Sequence, residues 1–222
     1  VGQLKGRAVI FDLDGVLVDS AACIERQLRR WASRQRLDVE QVLALAHGRR
    51  TLELVRLAAP HLDAEREAAQ LQRDEACDTD GVVEQAGAAQ RLRSLPLQNW
   101  GIATSGTREV AVNRINQAGL PMPEVLITAD DVTQGKPHPE PYLAAADRLG
   151  VAPNQCIVIE DAPVGIQAAR SAEMSIIAVA TTHSQEKLSE ADLVVNSLVH
   201  LQMFKADSSS PSNDLIMITA FK

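Results

Sequence analysis

Four carboxylates (Asp12, Asp14, Glu160 and Asp161), the cation Lys136 and the trio Thr104-Ser105-Gly106 are the residues whose types and positions suggest chemistry in this chain. Asp12 and Asp14 stand two apart directly after the apolar run Ala8-Val9-Ile10-Phe11. The period-2 alternation of an extended chain, carried past its end, can turn both side chains to one side. Thr104 to Gly106 follow a second apolar run and Glu160-Asp161 a third, while Lys136 lies in the loop segment Gln134-Gly135-Lys136-Pro137. Four carboxylates in one crevice cannot all stay ionised unaided, because each like-charge pair at about 4 Å costs on the order of 4 kcal/mol at an effective dielectric near 20. A divalent cation resolves the conflict, and all-oxygen donors favour Mg2+ together with a phosphate-bearing substrate. His47, His61, His138, His183 and His200 show no zinc-type pairing. Taken singly, each feature has a plainer explanation: an acidic turn, a helix N-cap, a solvated loop lysine, an acid pair favoured by a helix dipole.

What brings these residues together is the order of the elements. Strands are expected at 7–11, 100–104, 124–128, 155–160, 175–180 and 193–195, with helices at 84–94, 108–118, 139–149 and 164–172 between them. This alternation predicts an α/β fold, a doubly wound, Rossmann-like parallel sheet of five or six strands. In such a sheet ligands sit outside the carboxyl ends of the strands, and the acids, the hydroxyls and the lysine loop all fall there. The segment from about Ser20 to Asp80 is rich in Ala, Leu, Glu, Gln and Arg, interrupted by Gly48 and Pro60, and reads as three or four helices. Near the end, Ala206 to Asn213 reads as a turn between Leu201-Gln202-Met203-Phe204 and the apolar run from Leu215, which predicts an antiparallel hairpin on a sheet edge.

Four segments in order resemble the motifs of the haloacid dehalogenase superfamily: Phe11-Asp12-Leu13-Asp14-Gly15-Val16-Leu17-Val18-Asp19-Ser20, Ile102-Ala103-Thr104-Ser105-Gly106, Gly135-Lys136-Pro137, and Val158-Ile159-Glu160-Asp161-Ala162-Pro163-Val164-Gly165. The resemblance spans nearly the whole chain and is strongest to the β-phosphoglucomutase-like branch, with its small sugar and hexitol phosphatases. It implies a core of residues 1–18 and 83–222 with a small helical cap, residues 19–82, inserted after the first strand. It also implies a Mg2+-dependent phosphatase acting on a phosphorylated small sugar or polyol. Asp12 would be the nucleophile that becomes an aspartyl-phosphate, and Asp14 the general acid and then base, with its carbonyl on the metal. Thr104 and the amides of Ser105 and Gly106 would hold the phosphoryl oxygens, Lys136 would offset their charge, and Asp161 would bind the metal directly, with Glu160 direct or through water.

Specificity is expected in the cap, whose loops can close over the crevice. His47-Gly48-Arg49-Arg50 interrupts two expected helices; Arg49, Arg50 and His47 are candidate substrate contacts, against the alternative of an exposed basic turn. Arg29 and Arg30 read as a solvated helix face, and Asp19 and Ser20 as hinge residues. Where β-phosphoglucomutases carry a cap histidine this chain has Ile24, which favours water over a second sugar phosphate as acceptor. Gln85-Ala86-Gly87 departs from the Pro-Gly of relatives at the returning linker. A mutase and a non-catalytic phosphosugar-binding regulator remain the alternatives.

The whole-chain balance limits the other classes. The 222 residues carry 22 Lys+Arg against 29 Asp+Glu, a net charge of −7, and 3% aromatics. No general basic field or stacking platform exists for nucleic acid. No run approaches the roughly 18 apolar residues of a membrane span. Cys23, Cys77 and Cys156 are widely spaced without C-x-x-C, so a cytoplasmic protein with reduced thiols is expected, as a monomer or weak dimer.

Overall fold

The computed structural model describes residues 2–205 and 215–221. In chain order its principal elements are β1 (Gly2–Gly6), β2 (Ala8–Phe11), β3 (Val18–Asp19), α1 (Ala21–Gln35), α2 (Val39–Ala46), α3 (Thr51–Ala58), α4 (Ala64–Cys77), β4 (Val83–Glu84), α5 (Ala88–Arg93), β5 (Trp100–Ala103), α6 (Arg108–Gln117), β6 (Val125–Ile127), α7 (Glu140–Leu149), β7 (Cys156–Glu160), α8 (Pro163–Ser171), β8 (Ser175–Val179), β9 (Leu193–Val195), β10 (Leu201–Lys205) and β11 (Ile216–Ala220).

The apolar runs pair as a six-stranded parallel sheet in the order β6-β5-β2-β7-β8-β9. Its central strands β2, β5 and β7 are buried along their whole length, which is why they read as unbroken apolar runs and not as alternation. Successive side chains still serve different layers. Val9 and Phe11 join one core with Ala89, Leu92, Ala111 and Ile115 of α5 and α6, while Ala8 and Ile10 join another with Tyr142, Ala145, Ile166 and Ala169 of α7 and α8. Helices thus cover both faces, as the doubly wound reading requires.

The chain leaves and re-enters this layer through the antiparallel pair β3–β4, and between them α1 to α4 bury a separate core built on Trp31, Leu54, Val55 and Leu71. Asp38 and Asp63 accept from the Gln41 and Arg66 amides and so start α2 and α4. Gly150, in the left-handed region at φ 66°, ends α7.

Two expectations need correction. The helix foreseen from Glu84 begins only at Ala88, because Gly87 at φ 90° breaks the chain out of β4 first. The terminal hairpin β10–β11 does form, but it is not on an edge of the parallel sheet: β11 is the centre of a separate three-stranded antiparallel sheet, β1-β11-β10. The pairing partner β1 was not expected at all. The turn expected at Ala206 to Asn213 lies outside the described residues.

Candidate active site

Parallel pairing sets the ends of β2, β5 and β7 level, and the catalytic-type residues issue from those ends. The Asp12 amide continues the ladder by donating to the Ile159 carbonyl at 2.9 Å, and the Thr104 amide to the Ile127 carbonyl at 2.9 Å. Asp12, Asp14, Thr104, Ser105, Gly106 and Asp161 consequently face one cavity of about 490 Å3, closed on its far side by residues of α1, α2 and the turn after α2. The volume is that of an ordinary small-molecule site.

Lys136 lies fully buried beneath this floor. Its Nζ donates to Asp12 Oδ1 at 2.5 Å and to Glu160 Oε1 at 2.8 Å, and rests 4.8 Å from the centre of the Tyr142 ring. Burial by itself would strip the ammonium of its proton, but Asp12 and Glu160 more than offset it and hold the lysine charged. The Tyr142 hydroxyl also donates to Glu160 Oε1, at 2.9 Å, and the amides of Asp161 and Ala162 donate to Oε2 at 2.7 and 2.8 Å. Both oxygens of Glu160 therefore have protein partners. Burial raises its pKa, yet these contacts, Lys136 first, leave it below the ordinary value.

Asp12 and Asp161 behave oppositely. Burial pushes Asp12 up to about 7; Lys136 opposes this, and Glu160 and Asp14 add to it. Asp161 is driven well above the carboxylate range by burial and by the charges of Glu160 and Asp12, although Thr182 donates its hydroxyl to Oδ2. The backbone approaches closely here. A Cβ on Gly15, whose φ is 89°, would collide with the Asp161 carboxylate, and one on Gly165 with that of Glu160.

Asp14 sits at the cavity wall with both oxygens engaged: Ser20 Oγ donates to Oδ1 at 2.6 Å and Arg114 Nη1 to Oδ2 at 2.8 Å. Thr104 Oγ1 accepts from the Gly106 amide at 3.2 Å, and Ser105 Oγ donates to the Gly48 carbonyl at 2.8 Å, fastening the turn between α2 and α3 to the sheet end. That turn brings His47 and Arg49 to the cavity. His47 meets His183 edge to face at 5.2 Å between ring centres, and burial lowers the pKa of both.

Arg50 does not reach the cavity. It pairs with Glu53 Oε1 at 2.7 Å and donates to the carbonyls of Val132 and Thr133 at 3.0 and 2.8 Å, while Glu53 also accepts from the Gly135 amide at 3.0 Å. The expected substrate contact at Arg50 is thus corrected to a clasp between α3 and the loop that carries Lys136. Its guanidinium fork matches two carbonyls and a carboxylate better than it would a turn exposed to solvent. Sequence reasoning also missed Tyr142, Thr182, Arg114 and Glu75. None stands beside a motif acid in the chain, so no local signal marks them.

With Glu160 turned inward, no group of three or more His, Cys, Asp or Glu side chains is arranged around a common metal position among the described residues. What remains is a pair of buried carboxylates, Asp12 and Asp161, both raised first by burial and then by the charge of Glu160, with Asp12 adding to the rise at Asp161. Oxygen donors with surplus negative charge are the chemistry that suits a hard cation completing its shell with water and substrate oxygens.

A doubly wound sheet presenting an Asp-x-Asp-Gly turn, a strand-end hydroxyl and a buried lysine at one crevice defines a class. Residues 7–173 match the family model of haloacid dehalogenase-like hydrolases, and the chain belongs to that family. Among curated proteins it is similar to hexitol phosphatase A of Escherichia coli (strain K12), 38% identical over 96% of this chain and 100% of that one. It is similar also to glycerol-1-phosphate phosphohydrolase 2 of Saccharomyces cerevisiae, 35% identical over 87% of this chain and 83% of that one. Among solved structures, β-phosphoglucomutase from Clostridium difficile superposes with a TM-score of 0.76 at 28% identity, covering 86% of this chain and 91% of that one. No helix among the described residues is long and apolar enough to cross a membrane.

Proposed function

We propose that this chain is a phosphoric monoester hydrolase: a Mg2+-dependent phosphatase of small sugar or sugar-alcohol phosphates that works through an aspartyl-phosphate on Asp12. The observation that carries the reading is Asp12 itself, at the floor of the cavity with one oxygen held by a buried, charged Lys136 and the other meeting no protein donor among the described residues. Similarity to curated hexitol and glycerol-1-phosphate phosphatases supports the substrate class.

In this reading the free Asp12 oxygen attacks phosphorus in line; the bond between phosphorus and the sugar oxygen breaks, and Asp14 supplies the proton that oxygen takes up. Water then attacks the acyl phosphate, Asp14 takes its proton, and phosphate leaves as the Asp12 carboxylate is restored. Asp12, Asp161 and the Asp14 carbonyl would hold Mg2+, which when bound polarises the phosphoryl oxygens and offsets their charge. Glu160 instead fixes Lys136 against Asp12. Thr104 still has its hydroxyl proton for a phosphoryl oxygen, beside the Ser105 and Gly106 amides.

Residues 19–82 act as the cap over a core of residues 1–18 and 83–222, with Arg49 and His47 on its substrate-facing turn. Ile24 lines the same cavity and offers no hydrogen bond to a retained phosphosugar, which supports water as the acceptor over a mutase cycle. Free Cys23, Cys77 and Cys156 accord with a cytoplasmic setting, and a monomer or weak dimer is the expected working form.

The deciding experiment is phosphate release from a panel of phosphorylated polyols and sugars with Mg2+. Asp12→Asn should lower turnover by more than about a thousandfold with an unchanged circular dichroism spectrum. Retained turnover refutes the nucleophile assignment, and isomer formation without phosphate release would make the protein a mutase.

A further inference from the structure

Arg114 does more in this structure than hold Asp14. The residue is 3% exposed, yet among the described residues only Nη1 has a partner; Nε and Nη2 are buried without one. Asn113, its neighbour on α6, donates to the Ala76 carbonyl at 2.9 Å and so fixes the end of α4 against α6. That contact holds the end of α4, with Glu75, against α6, where the charges of Glu75 and Arg114 act on one another, although no hydrogen bond or ion pair joins them. Both residues line the cavity that holds Asp12 and Asp14. A buried fork with spare N–H groups and a carboxylate acceptor therefore face the same space, one from the sheet layer and one from the helical insertion.

Unpaired buried donors are expensive, and a ligand able to donate and accept at once would satisfy both groups. We infer that Arg114 and Glu75 form a specificity site for a hydroxyl of the leaving alcohol, remote from the phosphate: Arg114 donates to the hydroxyl oxygen and Glu75 accepts its proton. The inference rests on the phosphatase reading and deepens it by selecting a neutral polyhydroxy leaving group. Two carboxylates, Asp14 and Glu75, already flank the single positive charge of Arg114, so a second anion on the substrate meets net repulsion while a hydroxyl does not. Burial is the first cause that pushes Glu75 up to about 7, Arg114 opposes it and Asp14 adds to it, as expected of an acceptor held in place without a protein donor. The composite origin of the site also makes substrate contact depend on the insertion being closed on the sheet layer.

The test compares kcat/KM of the wild-type protein with Glu75→Ala, Glu75→Gln and Arg114→Lys on a hexitol 6-phosphate, on phosphoglycolate and on ethyl phosphate, whose alkyl leaving group carries no further hydroxyl. Because ethyl phosphate needs the same proton from Asp14, dividing each variant's value by its own value on ethyl phosphate cancels losses of folded protein and of the shared phosphoryl and acid chemistry. Glu75→Ala and Arg114→Lys should lower the hexitol ratio by about tenfold or more, the effect of removing one partner from a hydroxyl held by a charged group. Glu75→Gln keeps an acceptor but not the charge, and should raise the phosphoglycolate ratio about threefold or more. Ratios within twofold of wild type in all three variants would mean that water alone bridges the two groups, overturning the inference while leaving the phosphatase reading standing. Failure of the wild-type protein to release phosphate from any of the three substrates would overturn both.

Discussion

Glu75 shows what a single side chain costs when it is kept for a ligand. Its carboxyl is raised from the ordinary 4.5 to about 7, first by burial, with Arg114 of α6 opposing and Asp14 adding; the Cys23 thiol of α1 also faces it. A carboxyl whose folded pKa exceeds its unfolded one binds protons on folding. The stability it contributes is full below about 4.5 and is lost as pH rises through about 7. Glu75→Gln should thus melt roughly 3–6 °C above wild type at pH 8, corresponding to about 1–2 kcal/mol after screening by the open cavity, and within about 1 °C of it at pH 5. Thermal melts of the substrate-free protein at the two pH values check this; equal gains at both would refute it. Sequence alone marked Asp12, Asp14 and Asp161 because each follows a strand end among turn residues, and Lys136 because its loop falls at the same edge of the sheet. Glu75 and Arg114 look like ordinary polar positions on α4 and α6, and acquire meaning only when Asn113 ties the two helices together. Glu160 reverses the case: it was visible as an acid beside Asp161, but its partners Lys136 and Tyr142 come from other loops and helices, and they turn an expected ligand into an anchor.

At the scale of elements, the turn between α2 and α3 decides whether the insertion can address the sheet end. Gly48 holds φ at 73°, its carbonyl accepts from Ser105, and a Cβ there would stand 2.7 Å from Val164 Cγ2 and 3.1 Å from Ala162 Cβ. A left-handed backbone costs an L-residue about 1–2 kcal/mol before the clash is counted. Gly48→Ala should raise KM for a polyol phosphate about tenfold with a smaller change in kcat, because the turn that carries Arg49 must lift away from α8. Steady-state kinetics test this, and an unchanged KM would show that the turn does not meet substrate. Arg50→Ala acts differently: it releases the clasp on 132–135, and faster proteolysis or hydrogen exchange of that loop should accompany any loss of activity. The elements themselves were legible where burial on both faces wrote continuous apolar runs, as in β2, β5, β7 and β8. They were illegible where pairing alone makes the strand. β3 and β4 have two residues each, and Gly2-Gln3-Leu4-Lys5-Gly6 carries two glycines and two polar residues, extended only because β11 lies beside it.

That remote pairing has a consequence for the whole molecule. β1 leads directly into β2, whose far end delivers Asp12, so the antiparallel sheet β1-β11-β10 lies at the opposite end of the central strand from the site. β11 is its middle strand, and Ile216 and Ile218 are fully buried in the same core as Val9, Phe11 and Ile102. Stability and chemistry are therefore separable along one strand: the amino end of β2 is braced by residues near the end of the chain, and the carboxyl end carries the nucleophile. Ile218→Ala removes a buried side chain from the brace and should cost about 2–5 kcal/mol. At this chain length that corresponds to a melting temperature lower by roughly 5–15 °C. Because the parallel register of β2 with β5 and β7 is untouched, kcat/KM per folded molecule, measured well below the melting point, should stay within about twofold of wild type. A large loss of kcat/KM in the still-folded variant would show that the brace governs the position of Asp12 as well as the stability of the sheet.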